Sequence, residues 1–565
     1  MGRSNVLLRR RRLGGFWKQH VMLASVLLAI AAAQSPSPSG SPSYSPNSSP
    51  STSPSSSPSH SPSSSPSYSP YSSPSGSPSQ SPSSSPASAP APAQGASANG
   101  SCTFSYSQAL SPNTPGQGAG GMGIALASDG SVALLSGSPA SGSQAASAYL
   151  YSFYTSSGVY NSCPQTLKDP APLSGLRWGS SYALSGDASV ILVGAAGQVL
   201  PGALYGGQDR AIDGKVYVYK LPELPGATRG YSVTDQPFMP PSDSKSPFFG
   251  SGGLAATSAG DYVYVAAPVA PQPTSTLTAL YGNSSVFIYK RGDDEKGWHL
   301  NQTLPAPGGS NNTDFGRKVV VSDTGKWLAV SDPLAVTGPQ SCGIFGAMPG
   351  YVTSGQVFVY ALQDSNQQYK LVQTLQGNTS DATGFGADID VSADGSVLVV
   401  GAPDSNTSPR IVKVYSLENN AYVERANITA PANAPENSLF GQQVSVSGDG
   451  QLLVVHAPLP YPRSFTPGLS NATNSDIGGH IYSFKLAKGS NGLSVTPQTS
   501  MVCPNNQYIA TQRTCEDFGN TMALSANGKL LLTSGGFPGP AEKLDSYVYQ
   551  TQNCISTASS STPSV

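Results

Sequence analysis

The sequence predicts an all-β fold, a seven-bladed β-propeller of four-stranded blades, preceded by a disordered or polyproline II Ser-Pro tract. Three observations predict it. The stretch FGADIDVSADGSVLVVGAP at 385–403, two short strands around an Asp-Gly turn, recurs along the chain. Each copy is followed by a third strand of alternating β-formers rich in Tyr and Phe. A missing strand at the C-terminal end of the repeats is matched by a spare one at their N-terminal end.

The copies start at Gly120, Trp178, Phe249, Phe315, Phe385, Phe440 and Phe518, with successive spacings of 58, 71, 66, 70, 55 and 78 residues. Those from Phe315, Phe385, Phe440 and Phe518 are the clearest, and that at Gly120 is degenerate. The third strands read AYLYSF, KVYVYK, SVFIYK, QVFVYA, IVKVYS, HIYSFK and SYVYQ. A fourth strand precedes most copies, as in PQTL ending at Leu167, NQTL at Leu304 and VQTL at Leu375. Four-stranded sheets repeated around an axis bury each face on a neighbour and leave few open edges. The seventh unit stops at its third strand near Tyr549, and YSQAL, ending at Leu110, stands where a fourth strand should. The N-terminal segment is therefore expected to complete the last blade.

The rest of the 565 residues falls into distinct zones. Residues 1–33 join the basic run Arg9 to Arg12 to the apolar stretch Val21 to Ala33, the pattern of a secretory signal peptide; an uncleaved anchor is the alternative. The apolar stretch falls short of the ~20 residues that span a bilayer, so no stable membrane insertion is expected. Residues 34–100 form a Ser-Pro shaft or linker in which proline recurs every fourth position from Pro38 to Pro90. Its charge-free 35–92 cannot bury a core. Proline biases such a tract toward an extended rod of ~3.1 Å per residue, on the order of 180 Å in all. The repeats occupy 101–554, and the tail 555–565 is expected to be disordered.

Charge and chemistry narrow the function. Only 10% of residues are charged, and leaving out 1–33 leaves 23 basic residues against 30 acidic ones, which disfavours nucleic acid as a partner. Six cysteines suit an oxidising compartment. Cys503 and Cys515 are candidates to close one loop, and Cys102 and Cys554, flanking the first and last strands, to lock the ring. No geometric argument joins Cys163 to Cys342. Nine Asn-x-Ser/Thr sites occur, two before the repeats (Asn47, Asn99) and seven within them: Asn283, Asn301, Asn311, Asn378, Asn406, Asn427 and Asn471. Glycans there would supply the solubility that sparse charge does not. Within the repeats His299, His456 and His480 belong to no HExxH motif, no GxSxG elbow occurs, and no carboxylate pair can be placed together. An enzyme is not expected.

The Ser-Pro tract resembles the hydroxyproline-rich cell-wall glycoproteins of plants and volvocine green algae, with mucin-like stalks and bacterial linkers as look-alikes. The resemblance implies hydroxylated, glycosylated prolines and serines, and oxidative cross-links through Tyr44, Tyr68 and Tyr71 if these are more than solvated aromatics. The repeats resemble the FG-GAP repeat of integrin α-subunits and of secreted microbial and algal proteins. Some integrin repeats hold calcium between FG and GAP, and only Asp390, Ser392 and Asp394, before Gly395, approach that pattern here. Leu398 stands where a final carboxylate should fall, so a tight turn is expected, with no metal or cofactor. The RGD at Arg291 to Asp293 is expected to be a polar hairpin turn. Together these features suggest a secreted structural glycoprotein of the cell wall or extracellular matrix, whose propeller head contacts wall or matrix glycoproteins or glycans. An adhesin or lectin-like binder displayed on the shaft is the alternative, and a glycan-active enzyme the third.

Overall fold

The computed structural model describes the strands and turns of the repeat region between residues 103 and 552. It does not describe 1–102, 553–565, or residues 112–118, 138–146, 173–175, 201–209, 221–229, 235, 243–245, 270–282, 293–296, 309–313, 336–354, 378–383, 404–409, 433, 435–437, 459–478, 490–491, 505–517 and 536–545. The leader, the Ser-Pro tract with its three tyrosines and the tail thus lie outside the described residues. Among the described residues no helix is long and apolar enough to cross a membrane.

Seven antiparallel sheets follow one another, each built in chain order from an innermost to an outermost strand. The first blade runs Ala119–Leu126, Val132–Gly137, Ser147–Tyr154 and Gln165–Lys168, and the second Arg177–Leu184, Val190–Ala196, Lys215–Lys220 and Ser232–Val233. The third runs Leu254–Ala256, Tyr262–Ala267, Ser285–Arg291 and Trp298–Pro305. The fourth runs Val319–Val321, Trp327–Asp332, Gln356–Gln363 and Gln368–Gln376, and the fifth Ile389–Val391, Val397–Ala402, Ile411–Glu418 and Ala421–Thr429. The sixth runs Gln443–Val446, Leu452–Ala457, His480–Gly489 and Gly492–Met501. The seventh takes Met522–Leu524, Leu530–Ser534 and Ser546–Gln552 from one end of the repeats and Thr103–Leu110 from the other. Innermost strands touch in cyclic order, the seventh meeting the first. The architecture is a closed, seven-bladed β-propeller.

The expected ring closure is present in detail. Tyr106 lies opposite Tyr549, Ala109 opposite Tyr547 and Leu110 opposite Ser546. Tyr106 also packs edge-on against Tyr547 and Tyr549, each with ring centroids 6.1 Å away. Two irregularities depart from the simple repeat. The outermost strand of the first blade is broken, with Val159–Tyr160 and Gln165–Lys168 pairing separately with the third strand. The second blade adds a small hairpin, Gln198–Leu200 with Arg210–Ile212, and ends in an outermost strand of two residues.

The burial pattern follows from the stacking. Second and third strands are buried on both faces, as in Tyr262–Ala267 and Val397–Ala402, because each face meets a neighbouring blade. Seven apolar clusters among the described residues bridge the seven blade boundaries. At five of them the aromatic of an FG pair is fully buried: Phe249, Phe315, Phe385, Phe440 and Phe518. The glycine after it permits close approach. Gly250 has φ of 73° and its carbonyl oxygen lies 2.0 Å from where a Cβ on Gly194 would stand, so both positions must lack a side chain. The FG of one blade therefore packs onto the GAP-position residue of the blade before.

A second seam runs around the rim, where a glutamine of one outermost strand clamps the backbone of a tyrosine in the next. Gln373 accepts from Tyr422 N–H at 2.7 Å and donates to its carbonyl at 2.9 Å. The same paired contact joins Gln302 to Tyr369, Gln165 to Tyr231 and, across the ring closure, Gln108 to Tyr160. Each of these tyrosines donates its hydroxyl to a carbonyl in its own blade's tight turn: Gly395, Gly325, Ala188 and Gly130. Trp298 does so in the third blade, its indole N–H reaching Gly260 at 3.0 Å. Replacing Gln373 by Leu strands two half-buried backbone groups and should lower the unfolding free energy by about 2 kcal/mol. Gln451→Leu, on an exposed turn, should stay within about 0.5 kcal/mol in the same denaturant titration.

Candidate functional site

The propeller channel has two unlike ends. At one, the turn between innermost and second strands of each blade donates a backbone N–H to the next. Ser128 bonds Gly186, Asp187 bonds Ser258, Ser258 bonds Asp323, Asp323 bonds Ala393, Ala393 bonds Gly448, Gly448 bonds Ala526, and Ala526 returns to Ser128, at 2.7 to 3.3 Å. The circle is complete. Its members are small because they converge: a Cβ on Gly448 would stand 3.0 Å from that of Ala526 and 3.2 Å from that of Ala393. Asp187 and Asp323 bring carboxyls to the circle, and burial raises that of Asp323 above the ordinary range.

The turns of the fifth and sixth blades carry the full Ser-x-Asp-Gly pattern, and the other five carry variants of it. Ser392 Oγ donates to Asp394 Oδ1 at 2.7 Å and accepts from Val397 N–H at 2.9 Å, while Asp394 Oδ1 also accepts from Ser396 N–H at 2.8 Å. Ser185 with Asp187, Ser447 with Asp449 and Ser525 with Asn527 repeat the arrangement. These bonds lower the carboxyls of Asp187 and Asp394 against the desolvation that opposes them.

Asp390 and Asp394 serve different partners. It lies on the innermost strand, where its Oδ2 accepts from Val446 N–H at 2.9 Å and Ser445 Oγ at 2.8 Å in the next blade. Asp388 Oδ2 likewise accepts from Val444 N–H at 3.0 Å, and Gln443 Oε1 from Met522 N–H at 3.0 Å. Carboxylate and amide groups of one blade thus cap the open backbone edge of the next innermost strand. Lys318 Nζ completes this polar seam 3.0 Å from Asp388 Oδ1, with 43% of its side chain exposed. The Asp388 carboxylate raises the lysine's affinity for its proton, and burial pushes Asp390 up to about 6 despite its donors.

At the other end leave all the connections from second to third strands and from each blade to the next, as antiparallel order requires. Here Asp314, 1% exposed, precedes the FG pair of the fourth blade. Its N–H donates to Asp332 Oδ1 at 3.1 Å, and its own Oδ2 has no hydrogen-bond partner among the described residues. Burial pushes its carboxyl up to about 6, with Arg317 opposing. His456 is fully buried where other blades carry Gly194, Ala266, Ser331 and Gly401. Its Nε2 donates to the Phe518 carbonyl at 2.8 Å, and burial first, then the charge of His480, pull its pKa down to about 3. A histidine so held is neutral and committed to the seam.

The remaining candidates are dispersed. Cys503 is buried and disulfide-bonded; Cys515, Cys102, Cys554 and Cys342 lie outside the described residues, and Cys163 is exposed at the break in the first blade's outermost strand. Asn283 and Asn427 are exposed, Asn301 is half-buried, and Asn311, Asn378, Asn406 and Asn471 lie outside the described residues, as do Asn47 and Asn99. Arg291 ends a strand with its guanidinium 5.4 Å from the Trp298 ring centroid. Gly292 N–H closes that hairpin on the Gly297 carbonyl at 2.8 Å, and Asp293 is outside the described residues. No group of three or more His, Cys, Asp or Glu positioned for a metal occurs among the described residues.

Two titrations have opposite signs. The raised Asp314 carboxyl contributes fully below pH 3.8, and its contribution is lost as pH rises through about 6. Asp314→Asn should therefore stabilise the protein at pH 7 by about 3 kcal/mol, with the gain gone below about pH 4. The depressed His456 contributes above pH 6.5, and that contribution is lost as pH falls toward 3. His456→Ser should flatten the acid limb over that window. Equilibrium unfolding across pH checks both.

No protein-family model matches the chain, and no curated protein matches it. Among solved structures, a putative 6-phosphogluconolactonase from Bacteroides uniformis aligns at 14% identity over 70% of this chain and 90% of its own, with a TM-score of 0.40. The C-terminal WD40 domain of Sif2 aligns at 10% identity over 79% and 98%, with a TM-score of 0.40. An oligogalacturonate lyase from Vibrio parahaemolyticus aligns at 10% identity over 80% and 97%, with a TM-score of 0.39.

Proposed function

We propose that the chain is a secreted structural glycoprotein of a cell wall or extracellular matrix, in which an FG-GAP-like propeller head acts by binding. The observation that carries this reading is the sidedness of the channel. One end is ringed by main-chain bonds between tight turns, and the connections from second to third strands and from blade to blade, rich in Gly, Pro, Ser and Asn, depart from the other. Connections carried on a regular scaffold are where binding residues concentrate. The Ser-Pro tract and the basic, apolar leader support secretion and a wall setting. Binding rather than turnover is favoured because Asp388, Asp390 and His456 are each committed to backbone groups of a neighbouring blade. The partners are then wall or matrix glycoproteins or glycans.

Sidedness equally favours a second reading, an adhesin or lectin-like protein that shows one ligand to the loop face. Fractionation of source cells distinguishes the two. The structural reading expects the full chain in the extracellular matrix fraction, beginning after the leader and carrying hydroxyproline between 35 and 92. A soluble pool that binds one defined sugar on a glycan array would favour the adhesin. An intracellular chain that keeps residues 1–33 would overturn both.

A further inference from the structure

We propose that Asn427 and Asn283 carry N-linked glycans in the secreted protein and that Asn301 does not; the inference rests on the secretory reading above. The three share the Asn-x-Ser/Thr pattern and sit in unlike surroundings. Asn427 is exposed on the outermost strand of the fifth blade, opposite Lys413. Its Nδ2 donates to Glu424 Oε1 at 2.8 Å, on the same strand and at the surface. A substituted amide nitrogen keeps one N–H, which is enough for that bond. Asn283 is exposed just before the third strand of the third blade, and its neighbour Ser284 is tied inward through Val269 N–H.

Asn301 is placed differently. It is half-buried, and its Nδ2 donates at 3.0 Å to the carbonyl of Gln367, a residue of the next blade held at φ of 54°. The following residue, Gln302, holds both backbone groups of Tyr369. Asn301 Nδ2 thus sits half-buried at the seam between the third and fourth blades, where an attached sugar would crowd the two blades.

The chemistry is a group transfer from a lipid pyrophosphate-linked oligosaccharide. The amide nitrogen attacks the anomeric carbon, the bond from that carbon to the pyrophosphate oxygen breaks, and the lipid pyrophosphate departs with the electron pair. The amide's proton passes to a base of the transferase. The reaction meets the chain before or during folding, so the structure selects which products survive as folded protein.

Intact glycopeptide mass spectrometry of the full secreted chain tests this. Thr429→Ala and Thr303→Ala remove the acceptor patterns of Asn427 and Asn301 while leaving both asparagines and their bonds in place. Thr429→Ala should remove the mass of one glycan, Thr303→Ala should change nothing, and the Asn283 peptide should carry sugar. A glycan lost in Thr303→Ala, or a bare Asn427 or Asn283 in a chain that has shed its leader, would overturn the inference and leave secretion standing. A sugar-free chain retaining residues 1–33 would overturn both.

Discussion

The closed circle of main-chain hydrogen bonds between tight turns is the constraint from which the rest follows. Each turn must donate to one neighbour and accept from the other, so the first and seventh blades have to meet as Ala526 meets Ser128. The demand falls on backbone groups, and sequence can satisfy it only indirectly, by keeping the converging residues small and the turns uniform. Gly186 shows how tight this is: a Cβ there would stand 2.4 Å from Ser258 Oγ and 2.5 Å from Ser128 Oγ. A main-chain ring also joins the blades at that end without any particular side chain, which leaves the opposite end free to vary.

Blade packing transmits the same constraint outward. A glycine after each buried aromatic lets the chain approach the second strand of the preceding blade, and that strand answers with a small residue. His456 breaks the pattern and compensates for it. A Cβ on Gly519 would stand 2.4 Å from the His456 ring, and the imidazole uses this proximity to donate to Phe518. The exchange keeps the seam closed at the cost of a buried nitrogen, Nδ1, without a hydrogen-bond partner among the described residues. A buried group of this kind titrates far from its ordinary range, so the sixth and seventh blades share a seam whose strength depends on acidity, unlike a purely apolar one.

The blade number, the strand order and the ring closure were legible because they rest on local demands that recur from blade to blade: a glycine after the buried aromatic, a tight polar turn, an alternating third strand. The glutamine clamps were half legible. QTL marks the outermost strand in three blades, yet nothing near Gln373 in sequence points to Tyr422 as the backbone it holds. The channel seam was not legible. Asp390 reads locally as part of a calcium-like pattern with Asp394, and its actual donors, Ser445 and Val446, belong to another repeat. A local pattern cannot show which blade a carboxylate serves. For the same reason the connections leaving the opposite end give little away in sequence: they share one composition.

The closure by two distant strands has a consequence for how the ring holds together. Gln550 donates to Ser107 Oγ, 443 residues away along the chain, and to the Gly158 carbonyl of the first blade. Gln108, on the borrowed strand, clamps Tyr160 in the first blade as well. The N-terminal strand therefore belongs to two boundaries at once, completing the seventh sheet and holding the first blade against it. Contacts of such separation form late, because loop closure must precede any gain from them. Until that strand docks, the third strand of the seventh blade is an open edge, and Tyr547 and Tyr549 lack the ring of Tyr106 that packs on both. Docking removes the edge and covers the aromatics in one step, so the same short segment that completes the hydrogen-bond pattern also removes the surface most prone to pair with another chain.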